Sequence, residues 1–254
     1  MAIPKRDLSA RPELASLVAD LRRSRLLVGP QELEHRLPTP LPTGLAPLDR
    51  LLGGGLPRGR IVELPGEKTG STALALSIAV HLSRTGRLVA WVDAADAFDP
   101  RGAREAGAAL ARLLWCRPRD LRAAIRAADA LIASGAFPLV VLDLRRETPR
   151  LVAQGAWLRL ARGAEAHRSC LLVLGEAGAQ SFAAATLVPS RAKARFSGKG
   201  PGRLFEGVEL DCRLKRNKLG LAPGETKLAF RAPEHLPSLA WDPPPGTLRF
   251  GGGR

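Results

Sequence analysis

Four short apolar runs alternate with longer segments of helical character, and this alternation most constrains the fold. The runs are Ile61–Leu64, Leu88–Val92, Leu139–Leu142 and Cys170–Leu174. The intervening stretches 71–84, 101–114, 119–133 and about 150–165 have the spacing of helices. Strands this uniformly apolar are typical of a parallel sheet covered by helices on both faces. The sequence therefore predicts an α/β fold with a mainly parallel β-sheet flanked by helices. Residues 206–214 and 225–231 predict additional, antiparallel strands.

The chain is predicted to have three parts: an N-terminal helical arm at 1–35, a core domain at 36–232 and a flexible Pro/Gly-rich tail at 233–254. In the arm, apolar residues recur at helical spacing between positions 14 and 21. The arm packs on its own domain or on a partner; the sequence leaves both open. In the tail, Trp241 lies beside prolines and is a candidate docking motif.

The chain is strongly basic. Its 254 residues include 39 Lys and Arg against 24 Asp and Glu, a net charge of +15. This excess favours a polyanionic partner, nucleic acid first and an anionic membrane surface second. No apolar run approaches the ~18 residues of a membrane span, and no secretory signal is recognisable. Three scattered cysteines and four scattered histidines have no metal-ligand spacing. We expect a cytoplasmic protein without a metal site.

The first predicted strand leads into Gly66-Glu67-Lys68-Thr69-Gly70-Ser71-Thr72 and then a helix, which is the position of a phosphate-binding P-loop. A working loop has four residues between its glycines and ends in Lys followed by Ser or Thr. Here three residues separate Gly66 and Gly70, and Ser71 stands where the lysine belongs. Thr72 is retained, and Lys68 lies inside the turn. We interpret the loop as vestigial and expect no cofactor; the alternative is a weak nucleotide site.

Residues 43–66 resemble the segment that leads into the P-loop of RecA-type recombinases. Val92–Pro100 is similar to that family's "IDAEHALDP" run, and Leu139–Asp143 resembles its Walker B strand. Lys215–Lys218 resembles the "VKNK" sequence that reaches a neighbour's nucleotide in the recombinase filament. The resemblance covers about residues 40–231 and implies a RecA-like core.

Departures from the recombinase pattern fall on the residues of ATP chemistry. The family's catalytic glutamate corresponds to Ala95, and its nucleotide-sensing glutamine corresponds to Glu176. The P-loop lysine is replaced by Ser71, and Asp143 remains as a single carboxylate. The resemblance therefore implies a protein that is not an enzyme.

Residues 189–203 are predicted to form a long irregular segment in the slot that holds the second DNA-binding loop of the RecA family. This stretch has five basic residues and no acidic one. In an extended chain Arg191, Lys193 and Arg195 would point the same way, and Phe196 offers a surface for base stacking. We predict sequence-independent DNA binding, to single strands, duplex or both, or else a solvated basic loop. The candidate DNA-binding residues are Arg191, Lys193, Arg195, Phe196, Lys199, Arg203, Lys215, Arg216 and Lys218.

Two more arginines, Arg145 and Arg146, follow Asp143 at the predicted carboxyl edge of the sheet. They either extend the DNA surface or point into solvent. Trp91, Trp115 and Trp157 are expected to pack in the protein.

Among RecA-like proteins without a functional P-loop, the sequence is most similar to the ImuA family. That resemblance implies association with ImuB and with an error-prone DnaE-type polymerase, near the nucleoid, in translesion DNA synthesis induced by the SOS response. The main alternative is a division inhibitor similar to SulA, which acts by protein binding. A functional ATPase is a third hypothesis, and capping of RecA filaments is a fourth.

Overall fold

The computed structural model describes residues 39–66, 70–147, 152–175, 179, 181–198 and 203–231. The predicted arm at 1–35 and the tail at 233–254, with Trp241, lie outside these residues. Helices are α1 (Ala46–Leu51), α2 (Ser71–Arg84), α3 (Pro100–Glu105), α4 (Leu121–Ala133) and α5 (Gln154–His167). Strands are β1 (Ile61–Leu64), β2 (Val89–Asp93), β3 (Leu113–Cys116), β4 (Leu139–Asp143), β5 (Cys170–Leu174), β6 (Ala183–Ser197), β7 (Leu204–Asn217) and β8 (Gly224–Arg231).

All eight strands form one sheet in the order β3-β2-β4-β5-β1-β6-β7-β8. The pairings from β3 to β6 are parallel, whereas β6–β7 and β7–β8 are antiparallel. The predicted α/β class is confirmed, including the antiparallel strands near the end of the described chain. Because β6 runs parallel to β1 and continues past it, the β6–β7 hairpin projects from the edge where β1 ends.

Apolar clusters lie on both faces of the sheet, because successive strand residues point to opposite sides. On β1, Val62 and Leu64 join the cluster that contains helix α2, while Ile61 joins the one that contains α4 and α5. Trp91 is buried in the first cluster and Trp157 in the second. The prediction that these two tryptophans pack in the core is confirmed.

The helix predicted over 101–114 is wrong in its second half. Helix α3 ends at Glu105, and Gly107 then adopts a left-handed conformation with φ of 94°, which favours glycine. The chain continues through a 3-10 turn at Leu110–Arg112 into the edge strand β3. Pairing with β2 fixes this strand, and the short run Leu113–Cys116 carries no periodicity that could have revealed it.

The irregular segment predicted over 189–203 is also wrong, since residues up to Ser197 belong to β6. The strand pairs with β7 from Ala185↔Asn217 to Ser197↔Leu204. A bulge between Ser190 and Lys193 places Arg191 at φ of 50°. The proline and glycines of this stretch suggested a loop, but such residues are also tolerated in strands beside bulges.

Within the part of the chain that the structure describes, no helix is both long and apolar enough to cross a membrane.

Candidate functional site

Residues at the P-loop position line a cavity of about 330 Å³ at the carboxyl ends of the parallel strands. This is the edge at which open α/β sheets bind ligands. Its lining includes several positions that the sequence singled out, together with Ala97; these positions are Gly66, Gly70, Ser71, Thr72, Ala95, Arg145 and Arg146. Lys68 and Glu176 lie outside the described residues.

Helix α2 begins at Ser71, directly after the left-handed Gly70. The Ser71 side chain is buried, and its hydroxyl donates a hydrogen bond to the Pro65 carbonyl at 3.2 Å. A serine at this position is thus held against the backbone. Although Ser71 lines the cavity, its side chain has neither the length nor the positive charge of the lysine in a working P-loop.

Asp143, the Walker B position at the end of β4, is fully buried and paired with Arg145. The guanidinium donates through Nη2 to Oδ2 at 2.7 Å and through Nε to Oδ1 at 2.9 Å. The Arg145 backbone N–H also donates to Oδ1, at 3.2 Å. Both carboxylate oxygens therefore face an arginine, where a magnesium nucleotide site needs oxygen ligands free for the ion.

This role of Arg145 was missed by sequence reasoning, which assigned Arg145 to a DNA surface or to solvent. An arginine two residues after a strand-terminal aspartate can fold back onto it or point into solvent, and the spacing alone does not decide between the two. Arg146 is exposed and lines the cavity.

Asp93 organises the turn that carries Ala95. Its carboxylate accepts hydrogen bonds from the backbone N–H groups of Ala97 and Phe98 and from the indole N–H of Trp115 at 3.1 Å. These hydrogen bonds hold the turn against β2, but Ala95 is buried and has no carboxylate to orient water. Trp115 is half-buried on β3, which agrees with the prediction that it packs.

Glu63 on β1 is a buried carboxylate that sequence reasoning did not single out. It accepts hydrogen bonds from the Ala179 backbone N–H at 2.8 Å and from the Thr186 hydroxyl at 3.2 Å. Burial raises the pKa of Glu63 above its usual value, although these hydrogen bonds and the nearby charge of Arg216 act in the opposite direction. Glu63 thereby ties the connection after β5 to strands β1 and β6.

The basic residues predicted to bind DNA lie on the β6–β7 hairpin. Arg191, Lys193, Arg195 and Phe196 are exposed on β6. The bulge interrupts the expected alternation at Arg191, and Arg195 forms an ion pair with Glu209 of β7 at 2.6 Å. Acidic residues of the facing strand therefore offset part of the charge, although between positions 189 and 218 nine basic residues stand against three acidic ones.

The other candidates are distributed along the same hairpin. Arg203 is exposed just before β7, and its guanidinium lies over the Phe196 ring at 5.5 Å from the centroid. Lys215 is exposed, and Lys218 donates through Nζ to the Ser181 carbonyl at 2.6 Å. Lys199 lies outside the described residues.

No group of three or more His, Cys, Asp or Glu side chains among the described residues could hold a metal ion.

The sequence profile of the RecA N-terminal domain matches residues 23–155, just over half of the chain. The chain belongs to the RecA N-terminal domain family. Its relatives include RecA of Acidothermus cellulolyticus, 46% identical over 105 residues, which are 41% of this chain and 30% of that protein. RecA of Bifidobacterium breve is 37% identical over 143 residues, 55% of this chain and 36% of that protein. The chain thus matches about a third of the length of these RecA proteins.

The fold is also that of a solved recombinase. The crystal structure of the RadB recombinase superposes with a TM-score of 0.57 at 20% identity, covering 74% of this chain and 94% of RadB. The expected resemblance to RecA-type recombinases is confirmed at the level of family and fold.

Proposed function

We propose that this chain is a non-catalytic, DNA-binding accessory protein of error-prone translesion synthesis, of the ImuA type, that scaffolds ImuB and a DnaE-type polymerase. The observation that carries the non-catalytic part is the pairing of Asp143 with Arg145. Ala95 on the neighbouring turn has no carboxylate to act as a general base. The Ser71 side chain is shorter than the lysine that binds phosphate in a working P-loop. Each departure removes a different component of the positioning and charge stabilisation on which phosphoryl transfer depends.

DNA binding is supported by the basic hairpin and by family membership. Lys193 and Arg195 are exposed, and contacts from such residues to phosphate are independent of sequence. Five phosphate contacts would give a salt slope of about −3.5 to −4.5, because each contributes ~0.7 on single strands and ~0.9 on duplex DNA.

The test is a gel-shift titration at several salt concentrations. Changing Arg191, Lys193 and Arg195 together to Ala should weaken binding and flatten the salt slope. A control that changes Arg84, Arg87 and Arg162, which are exposed and outside the hairpin, removes the same net charge. Equal affinity of the two triple variants would contradict a DNA site on the hairpin, and failure of the wild-type chain to bind DNA would favour the division-inhibitor hypothesis.

The partner assignment needs its own experiment. Purified chain should retain ImuB and a DnaE-type polymerase in a pull-down in which nuclease treatment removes bridging DNA. A strand-exchange reaction with added chain tests the further idea that the protein acts on RecA filaments, and no effect at stoichiometric excess would dismiss it.

A further inference from the structure

Helix α2 is apolar on a second side besides the one that packs against the sheet. Before Arg84, its last residue, the helix has no Asp, Glu, Lys or other Arg. Leu74 and Ile78 are buried in the core, whereas Ala73 on the second side is exposed and Leu76 is half-buried. A surface helix normally carries charged residues on its solvent side, and a helix that is apolar all round is normally buried all round. The second side of α2 therefore has the composition of a covered surface.

This second side of α2 forms one wall of a groove of about 740 Å³. Ala106, directly after α3, and Leu45, directly before α1, also line the groove. Ala229 and Phe230 of β8 complete the lining that concerns us here. The volume lies within the ~300–1,000 Å³ of pockets that enclose a ligand, so the groove has room for several side chains.

The chain leaves the sheet at the edge of this groove. Phe230 lines the groove, and the residues that the structure describes end one position later, at Arg231. The following segment, 232–241, has the sequence Ala-Pro-Glu-His-Leu-Pro-Ser-Leu-Ala-Trp, in which Leu236, Leu239 and Trp241 are large apolar residues. Its two prolines fix φ, and a segment with fewer conformations loses less entropy when it is ordered.

We propose that residues 232–241 of the same chain occupy the groove, with Leu236, Leu239 and Trp241 against the apolar side of α2. Contact with these side chains would remove the exposed apolar surface of both the helix and the segment from water, which is the main favourable contribution to such an association. The proposal also gives Trp241 a binding site. A partner that takes Trp241 as a docking motif would first have to displace it from the groove.

The segment is long enough to cover the groove. Helix α2 lines the groove from Ala73 to Arg84, a distance of about 16 Å at ~1.5 Å per residue. The chain from Phe230 to Leu236, when extended, spans about 20 Å at ~3.3 Å per residue. A segment tethered this closely has an effective concentration in the millimolar range. This favours the segment of the same chain over a second copy of the protein.

Proteolysis of the full chain tests the proposal, because chymotrypsin cleaves after residues such as Leu239 and Trp241. Ala73→Glu places a carboxylate in the groove, at an exposed position in the first turn of α2 where a negative charge is favourable to the helix. Cleavage at these two sites should be at least about 10-fold slower in wild type than in Ala73→Glu, since the rate follows the population of the undocked segment. Ala130→Glu, the same change at an exposed position of α4, is the control and should be cleaved at the wild-type rate.

A second pair of variants leaves the folded core unchanged. Leu236→Ser removes an apolar side chain of the segment and should also accelerate cleavage after Leu239 and Trp241. Leu248→Ser, beyond the segment, is its matched control and should not. As a direct measure of contact, benzoylphenylalanine incorporated at position 241 should form photo-adducts with the tryptic peptide 69–84, which contains α2, within a single copy of the chain.

Three results would overturn the proposal. The first is equal cleavage of wild type, Ala73→Glu and Leu236→Ser, together with no adduct on the α2 peptide. The second is adducts between two copies, or protection that rises with protein concentration, which would assign the groove to a second copy. The third is protection that appears only after ImuB is added, which would assign the segment to that partner.

Discussion

Removing the Arg145 side chain should lower the free energy of unfolding, because the buried Asp143 carboxylate loses the arginine that pairs with it. In Arg145→Met the buried carboxylate loses two hydrogen bonds, at 2.7 and 2.9 Å, and keeps the 3.2 Å bond from the backbone N–H. Removing one partner of a buried ion pair costs about 3–5 kcal/mol because the remaining charge is uncompensated. Since the Arg145 side chain is 19% exposed and Asp143 is fully buried, we expect the lower end, about 3 kcal/mol.

Urea denaturation followed by tryptophan fluorescence measures this cost. A loss of about 3 kcal/mol lowers the midpoint by about 1 M or more, given a denaturant slope of about 1–3 kcal/mol per M. Adding Asp143→Asn to Arg145→Met removes the buried charge, so the double variant should be more stable than Arg145→Met alone. If Arg145→Met unfolds within about 0.5 kcal/mol of wild type, as ordinary surface changes do, the reasoning that Arg145 neutralises the Walker B position is refuted.

Three other predictions concern buried or strained positions. Because burial raises the pKa of Glu63, wild-type stability should fall as the pH rises from about 4.5 through the raised pKa, since the native state binds more protons than the unfolded chain. Glu63→Gln should lose this dependence and be more stable than wild type near neutral pH. If the urea midpoints of the two proteins run parallel across pH, the assignment is contradicted. Gly55 has φ of 137°, and an added Cβ would lie 2.2 Å from a backbone carbonyl oxygen, so Gly55→Ala should destabilise the fold by more than the ~1–3 kcal/mol of backbone strain alone. Gly86→Ala, with φ of 80° and open space around the added Cβ, is the control in thermal melts. Equal losses of stability in the two variants would argue against the clash. Burial raises the pKa of Cys170 to about 12. Alkylation of the native protein near neutral pH, mapped by mass spectrometry, should therefore label half-buried Cys116 and leave Cys170 unmodified. Early labelling of Cys170 would mean that β5 opens readily.

The parallel part of the sheet could be predicted because its strands carry their own evidence. The runs that became β1, β2, β4 and β5 are apolar throughout, which occurs when both faces of a strand are covered, and the helices between them have clear periodicity. Strand β3 could not be predicted, since Leu113–Cys116 is short and only partly buried. Its conformation is imposed by pairing with β2, a contact between distant positions.

The hairpin shows a different limit. Proline, glycine and a run of cations made residues 189–203 resemble a loop, but pairing with β7 overrides these local preferences. That pairing also brings Glu209 to Arg195 and Phe205 to Phe196, and neither contact is visible from the basic segment by itself.

At the P-loop position, the sequence pointed to residues that line the cavity, because a glycine-rich turn there stands between a strand and a helix, although three rather than four residues separate Gly66 and Gly70. It could not reveal the Asp143–Arg145 pair. Whether an arginine side chain turns back onto the strand or out into solvent depends on the shape of the sheet edge, and the sequence alone does not fix that shape.

We propose that this RecA-like chain binds DNA without depending on ATP. The most direct test is the affinity of the full chain for a fluorescent oligonucleotide, measured over a salt series with and without magnesium and ATP. We predict the same dissociation constant and the same salt slope under both conditions. Binding that requires magnesium and ATP, or that weakens as ATP is consumed, would contradict it.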